Sequence, residues 1–363
     1  MTKLRALVID DSSLMRKLIS QILSRDGSIE VIDTAHNGEA GLAKIRDLKP
    51  DIVTLDIEMP VMTGLELLAA LRAAKIKARV IVVSALTKAG SRMAMKALDL
   101  GAMDIVHKPS GSISVDIERV GDELIEKVKA IASLKDREIN LDVSPLPPMS
   151  LEPTAVQPSA DAALMKKKRP LLLAIGISTG GPRALRIIFP QLPKNFPLPV
   201  LLVQHIPDDF VESFAESLGE QCVLPVTKAV DGEELKPGHI YIAPGNRHLG
   251  ISQKRTVLSA NVTETTPVSG HVPSADYLFD SVLNAVSGNA IGVIMTGMGS
   301  DGAKGLHRLR QNGAYTIAQD QATCTVFGMP RVAIGLNAAD KILPLNAIIP
   351  DIIDYLARKP YES

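Results

Sequence analysis

Short aliphatic runs alternate with segments of helical period along most of this chain, and that alternation limits its folds more than any other feature. In the first third the runs are Arg5–Asp10, Ile29–Ala35, Asp51–Leu55, Arg79–Val83 and Ile105–Val106. A strand inside a parallel sheet has no solvent face, so it reads as apolar throughout. Between the runs, apolar residues recur three and four apart, as Leu14, Leu18, Ile19 and Ile22 do, which buries one stripe of a helix. That first helix takes Asp11 or Ser12 as its cap, and others are expected over Gly38–Leu48, Leu65–Ala74, Arg92–Leu100 and Ile117–Leu134. Strand and helix alternating in this way predict an α/β fold with a doubly wound parallel sheet.

Such a sheet keeps its crevice beyond the carboxyl ends of the strands. Asp10, Asp11 and Asp56 fall there, joined by Ser84 and Lys108 from the fourth and fifth strands. Three carboxylates repel one another unless a cation neutralises them, and hard oxygen ligands suit Mg²⁺. A carboxylate beside a metal, an ammonium and a hydroxyl can accept a phosphoryl group as an acyl phosphate.

The second half opens with Leu171–Gly181, LLLAIGISTGG, an aliphatic strand running into a glycine-framed serine. Gly176 to Gly180 fit G-x-S-x-G, which seats a serine on a sharp strand-to-helix turn. The same five residues also fit a plain tight turn or a phosphate loop, although no Lys-Ser/Thr pair follows. Pro182 suits the first turn of the next helix. Pro199–Val203 is a second strand, ending in Gln204-His205-Ile206-Pro207. Ala290–Met295 is a third, running into Thr296-Gly297-Met298-Gly299-Ser300-Asp301-Gly302. Between Val223 and about Ser259, short β runs alternate with turn residues, which predicts antiparallel strands appended to the sheet. Further helices are expected over Phe210–Leu218, Ala275–Val286, Ala303–Gln311 and Pro350–Leu356, with a strand at Ala314–Ala318.

Ser178, His205 and Asp301 each follow the carboxyl end of an apolar strand, so a parallel sheet turns all three toward one crevice. An imidazole there can take the serine proton while a carboxylate sets its tautomer. The Gly297-Met298-Gly299 turn leaves backbone N–H groups for an oxyanion. Asp301 equally suits the cap of the helix that begins at Gly302. His239, His248 and His271 lie in the β-rich segment or its exit and are weaker rivals to His205, while His36, His107 and His307 read as surface or packing residues. The order serine, histidine, aspartate differs from that of the α/β-hydrolases.

At 363 residues the chain has room for two or three domains. Between about Lys135 and Arg169 the periodicity stops, and Pro145, Pro147, Pro148, Pro153 and Pro158 predict an extended tether. Positive and negative charges cancel, and no reading helix follows Lys166-Lys167-Lys168-Arg169, so a DNA-binding output is disfavoured. Cys222 and Cys324 lack metal-ligand spacing and read as free thiols of a reducing compartment. No apolar run approaches the about 18 residues that span a bilayer, and the start lacks the core of a signal peptide, so a cytoplasmic protein without membrane insertion is expected.

Residues 1–125, with Asp10-Asp11, Leu55-Asp56-Ile57-Glu58-Met59-Pro60, Ser84 and Lys108-Pro109, resemble the receiver domain of two-component response regulators. The resemblance implies a flavodoxin-like fold with Asp56 as phosphoacceptor and Mg²⁺ held by Asp10, Asp11, Asp56 and the Glu58 carbonyl. It implies Ser84 as switch hydroxyl, Lys108 as phosphate contact and a sensor histidine kinase as phosphodonor. Ile105 stands where many receivers carry the switch Tyr or Phe. Residues 170–363, with IGISTGGP, LLVQHIP, YIAPGNRHL and IMTGMGSDGA, resemble the catalytic domain of the chemotaxis protein-glutamate methylesterases, and 126–169 take the place of the family's linker. That resemblance implies a second doubly wound, Rossmann-like domain with a β-rich insertion. It implies Ser178 as nucleophile, His205 as base and acid, and Asp301 as orienting acid, with the Met298 N–H in the oxyanion hole and Thr179 in support. The implied substrates are glutamate γ-methyl esters on chemoreceptor cytoplasmic helices, with glutamine deamidation as a second activity, neither needing a cofactor. The expected regulation is inhibition by the receiver until Asp56 is phosphorylated. A receptor-docking adaptor with a decayed site is the competing expectation.

Overall fold

Leu4–Ile9 forms β1, flanked by β2 (Ile29–Ala35) and β3 (Ile52–Leu55), with β4 (Val80–Ser84) and β5 (Asp104–His107) beyond. All pair in parallel, in the order β2-β1-β3-β4-β5. Every residue of β3 and β4 is buried, because helices cover both faces of the sheet. Helices α1 (Ser13–Ser24) and α5 (Val115–Ala132) pack Ile19, Ile22, Leu124 and Val128 on one face. Helices α2 (Gly38–Leu48), α3 (Gly64–Ala73) and α4 (Lys88–Asp99) pack Ile45, Leu67, Leu71 and Leu98 on the other. Ser12 caps α1, accepting from Met15 N at 3.4 Å. This computed structural model describes residues 3–85, 87–108, 115–132 and 170–357. The tether expected between Lys135 and Arg169 lies outside the described residues.

The second sheet has seven strands in the order β14-β13-β12-β6-β7-β9-β8, all parallel. They are β6 (Leu173–Ile177), β7 (Val200–Gln204), β8 (Val226–Lys228), β9 (Ile240–Ile242), β12 (Ile291–Ile294), β13 (Tyr315–Gln319) and β14 (Lys341–Leu343). The chain runs outward from β6 through β7 to β9 and β8, then returns to place β12 on the other side of β6. The crevice therefore opens between β6 and β12, where the strand order reverses. Helices α6 (Gly181–Ile188), α7 (Asp208–Gly219), α8 (Ala275–Val286), α9 (Ala303–Gln311), α10 (Met329–Gly335) and α11 (Ile348–Ala357) cover this sheet. Pro350 lies in the first turn of α11, where its missing N–H is harmless.

The expected antiparallel strands need correcting. β8 and β9 join the main sheet in parallel, and the turn residues Asp231-Gly232 and Pro237-Gly238 lie in the crossover between them. Glycine and proline mark a change of direction but do not say whether the next strand returns beside the first. Among the described residues, the antiparallel strand pair is β10 (His248–Lys254) with β11 (Val257–Thr263), which forms a separate two-stranded sheet. Its tip carries Arg255 at φ 57°, a turn without glycine or asparagine. The hairpin lies on α8, where the Ser281 hydroxyl accepts from Ile251 N at 2.8 Å and donates to Ile251 O at 3.1 Å.

The two halves touch. Helix α4 packs beside α7 and α6, and one apolar cluster runs from Ala94, Met95 and Leu98 into Leu185, Phe210 and Phe214. No helix among the described residues is long and apolar enough to cross a membrane.

Candidate active site and phosphoacceptor crevice

The serine turn is pinned at several points. Ser178 N donates to Thr296 O at 3.0 Å, tying the residue after β6 to the end of β12. Gly180 sits at φ +77°, and a Cβ there would also stand 2.3 Å from the Thr325 side chain, so only glycine completes the turn. A Cβ on Gly297 would lie 2.8 Å from Ser178 Cβ, so the bare backbone of the β12 loop lies directly against the serine. Gln204 Nε2 donates to Ser178 O at 3.0 Å and His205 O at 3.3 Å, holding the ends of β6 and β7 together. The Thr296 hydroxyl donates to Thr179 O at 2.9 Å. Among the described residues, the N–H groups of Thr179 and Met298 make no hydrogen bond.

Asp301 is buried and fully occupied. Ser274 Oγ donates to its Oδ1 at 2.7 Å, Ala275 N to Oδ2 at 2.7 Å and Asp276 N to Oδ1 at 3.1 Å. Those donors are the cap and first residues of α8, so the carboxylate rests on a helix N-terminus. Burial pushes its pKa up, but the His205 ring and the α8 donors outweigh that and hold it below the usual carboxylate value. The alternative of Asp301 as cap of the following helix is corrected: Gly302 is the N-cap of α9 and makes no side-chain cap. Asp301 instead reaches across to α8.

His205 Nε2 lies 2.9 Å from Asp301 Oδ2. A carboxylate can only accept, so Nε2 carries the proton and the neutral ring offers Nδ1 as its basic nitrogen. Nδ1 is buried and has no hydrogen-bond partner among the described residues, so no Ser178–His205 bond is closed in this arrangement. The ring stacks on His271, with centroids 4.2 Å apart and 9° between planes. Burial and the neighbouring His205 hold the His271 pKa below the ordinary imidazole value. Sequence reading ranked His271 only as a rival to His205, because nothing in its spacing foretells a stacked pair.

In the other crevice, ligand atoms of Asp10, Asp11 and Asp56 gather within 4.8 Å of one another. Lys108 Nζ sits 2.7 Å from Asp56 Oδ2 and 2.9 Å from Asp10 Oδ2. Burial, with Asp10 alongside, holds the Asp56 pKa above the ordinary carboxylate value despite Lys108. Ser84 is buried and turned toward α4, its hydroxyl 3.5 Å from Gly90 O. Glu58 is exposed, and Ile105 is buried in the apolar cluster shared by the two halves.

Sequence reasoning missed the residues that join the halves. Asp104, at the start of β5, is buried and accepts from Ile105 N at 2.7 Å, Lys127 Nζ at 3.3 Å and Gly180 N at 3.4 Å. Lys127 also pairs with Glu123 at 3.0 Å. Arg186 on α6 is buried and reaches Asp99 Oδ1 through Nε at 2.6 Å. An acid at the head of an aliphatic run was the available signal for Asp104.

Comparison with known proteins agrees with this geometry. Residues 6–115 match the response regulator receiver domain, and residues 173–352 match the CheB methylesterase domain. The chain is 42% identical over 352 residues to a protein-glutamate methylesterase/protein-glutamine glutaminase of Halalkalibacterium halodurans, covering 97% of this chain and 98% of that one. It is 42% identical over 348 residues to a protein of Koribacter versatilis with the same description, covering 96% and 94%. The solved CheB methylesterase catalytic domain of Thermotoga maritima superimposes with a TM-score of 0.50 at 41% identity, covering 51% of this chain and 98% of that domain. With a receiver sheet, an esterase sheet and near full-length identity to these relatives, the chain belongs to the protein-glutamate methylesterase/protein-glutamine glutaminase family of response regulators.

Proposed function

We propose that this chain hydrolyses γ-methyl esters of glutamate side chains, and deamidates glutamines, on cytoplasmic helices of chemoreceptors, under control of its receiver half. The observation that carries the reading is Asp301, held by the N-terminus of α8 and bonded in turn to His205 Nε2. A carboxylate fixed in that way sets the imidazole tautomer and stabilises the imidazolium that forms when the ring takes a proton.

In this mechanism His205 Nδ1 removes the Ser178 hydroxyl proton as Oγ attacks the ester carbonyl. The Thr179 and Met298 N–H groups receive the developing oxyanion. His205 returns the proton to the leaving methoxide, releasing methanol and leaving an acyl-serine. Water then attacks with His205 again as base, and the product is a free γ-carboxylate. A glutamine enters by the same route and loses ammonia. His271 stacked on the base limits its rotation.

The receiver acts as the brake. Asp104 of the receiver touches the serine turn at Gly180, and α4 covers α6 beside it, so substrate access requires the receiver to move. Asp56 is the phosphoacceptor in this reading, supplied by a sensor histidine kinase. Mg²⁺ suits the all-oxygen donor set of Asp10, Asp11, Asp56 and the Glu58 carbonyl, where it would neutralise charge during phosphoryl transfer. Ser84 and Lys108 stand at the strand ends where the phosphoryl oxygens would be held.

Methanol release from methylated chemoreceptor membranes tests the reading. The parent protein should release methanol, faster with acetyl phosphate and Mg²⁺, and Ser178→Ala should release none while keeping the parent's melting temperature. Retained turnover in Ser178→Ala would remove Ser178 as the nucleophile.

A further inference from the structure

Arg186 is the residue at the domain contact whose chemistry is not used up by holding the domains together. Its side chain is 3% exposed, although guanidinium is seldom buried without a purpose. Nε donates to Asp99 Oδ1 at 2.6 Å, and Nη2 lies 3.4 Å from Met95 O, both on receiver helix α4. The other contacts belong to the esterase half. Nη2 donates to Ser217 Oγ at 2.8 Å, Nη1 to Pro182 O at 3.1 Å, and the guanidinium carbon stands 6.0 Å above the Phe214 ring.

Those contacts divide by charge. The esterase half supplies a hydroxyl, a carbonyl and an aromatic face, which position the guanidinium without neutralising it. Among the described residues, the single carboxylate bonded to Arg186 comes from the receiver, and Asp99 is further held by Gln221 Nε2 at 3.3 Å. Arginine does not deprotonate in proteins, so departure of the receiver leaves an oriented, uncompensated cation. It stands on the same helix that follows Ser178, about two helical turns, on the order of 10 Å, along the chain from it.

We propose that Arg186 is a substrate-docking cation: when the receiver leaves, it exchanges Asp99 for a carboxylate on the acidic helix that carries the scissile ester. The inference rests on the esterase reading above and adds the class of residue that the substrate must present. Side chains seven positions apart share a helix face at about 10.5 Å, so the recognised acid lies about two turns from the ester. The receiver thereby acts as a substrate mimic, with Asp99 on Arg186 and Asp104 on the Gly180 N–H. Guanidinium and carboxylate match as a planar pair, which suits exchange of one acid for another at a fixed site.

The test uses the full chain with acetyl phosphate and Mg²⁺, and two synthetic helical peptides. Each carries one glutamate γ-methyl ester, with Glu in one and Gln in the other seven positions away. Peptide affinity is read on Ser178→Ala protein by fluorescence anisotropy, and methanol release on the parent. The acidic peptide should bind about tenfold tighter, with the difference appearing in KM and not in kcat. Arg186→Gln should abolish that preference and Arg186→Lys should keep part of it. Asp99→Asn should raise the rate without phosphorylation and leave the preference intact. Equal affinity of the Ser178→Ala protein for the two peptides, or a preference that survives when Arg186→Gln is added to it, overturns the proposal. Absence of methanol release with the binding preference intact overturns the esterase reading and leaves the Arg186 assignment standing.

Discussion

Asp104 in the receiver half accepts a hydrogen bond from the Gly180 N–H, 3.4 Å away, at the turn that carries Ser178. Gly180 is the N-cap of α6 and offers no side chain of its own, so Asp104 supplies the anion that this helix start lacks. Lys127, itself buried, sits behind the acid at 3.3 Å. The regulatory half thus reaches to within two residues of the proposed nucleophile.

Asp104→Asn should loosen this contact. A charge-assisted hydrogen bond of this kind contributes about 1.5 kcal/mol, close to tenfold in the balance between docked and open forms. The unphosphorylated variant is expected to release methanol several-fold faster than the parent, and acetyl phosphate should add correspondingly less. An unchanged basal rate would make the contact incidental to control.

Asp301→Asn separates chemistry from stability. Turnover should drop about 10³–10⁴-fold, since an amide in place of the carboxylate disturbs the tautomer on which His205 depends. The pH dependence of folding should change as well. The Asp301 pKa is lower in the folded state than in the unfolded chain, so its ionised form stabilises the fold above the ordinary carboxylate range. That contribution is lost as pH falls through the lower, folded value. The melting temperature of Asp301→Asn should therefore decline less than the parent's between about pH 5 and about pH 3. Parallel decline in the two proteins would mean that the α8 donors do not hold a charged group.

The strand-end logic that placed Ser178, His205 and Asp301 in one crevice was legible because a parallel sheet sends all its carboxyl ends to one edge. The same logic gathered Asp10, Asp11, Asp56 and Lys108. It did not reveal what holds Asp301, because Ser274–Asp276 approach from a distant segment that reads only as the start of a helix. Nor did it give the direction of β8 and β9, since their glycine and proline turns fit a crossover as well as a hairpin. Nothing in the pattern around Arg186 or Asp104 marks either residue as a contact between domains. Both are buried only because two separate domains meet over them, and periodicity within one element carries no information about that.

Phosphorylation should be confined to one residue. With Mg²⁺ and acetyl phosphate, a single base-labile acyl phosphate is expected at Asp56, the carboxylate 2.7 Å from Lys108. Asp56→Asn should abolish labelling and leave the unstimulated esterase rate as it was. Labelling that persists on another carboxylate would reassign the crevice.

The last prediction concerns the esterase half alone. Its sheet, its helices and all of Ser178, His205, His271 and Asp301 lie within residues 170–357, and the matching Thermotoga maritima domain has been solved on its own. Removing the receiver exposes the α6 face and frees Gly180 from Asp104 and Arg186 from Asp99. It also uncovers part of the apolar cluster that runs from Met95 and Leu98 into Phe210 and Phe214, so the fragment should be less soluble than the whole protein. If docking favours the closed form by about 1.4 kcal/mol or more, only about a tenth of the unphosphorylated protein is open. A fragment from Pro170 to Ser363 should then release methanol about tenfold faster than the unphosphorylated parent. Acetyl phosphate should leave its rate unchanged, since Asp56 is absent. A fragment equal to or slower than the unphosphorylated parent would mean that the receiver helps to present the substrate and does not simply cover Ser178.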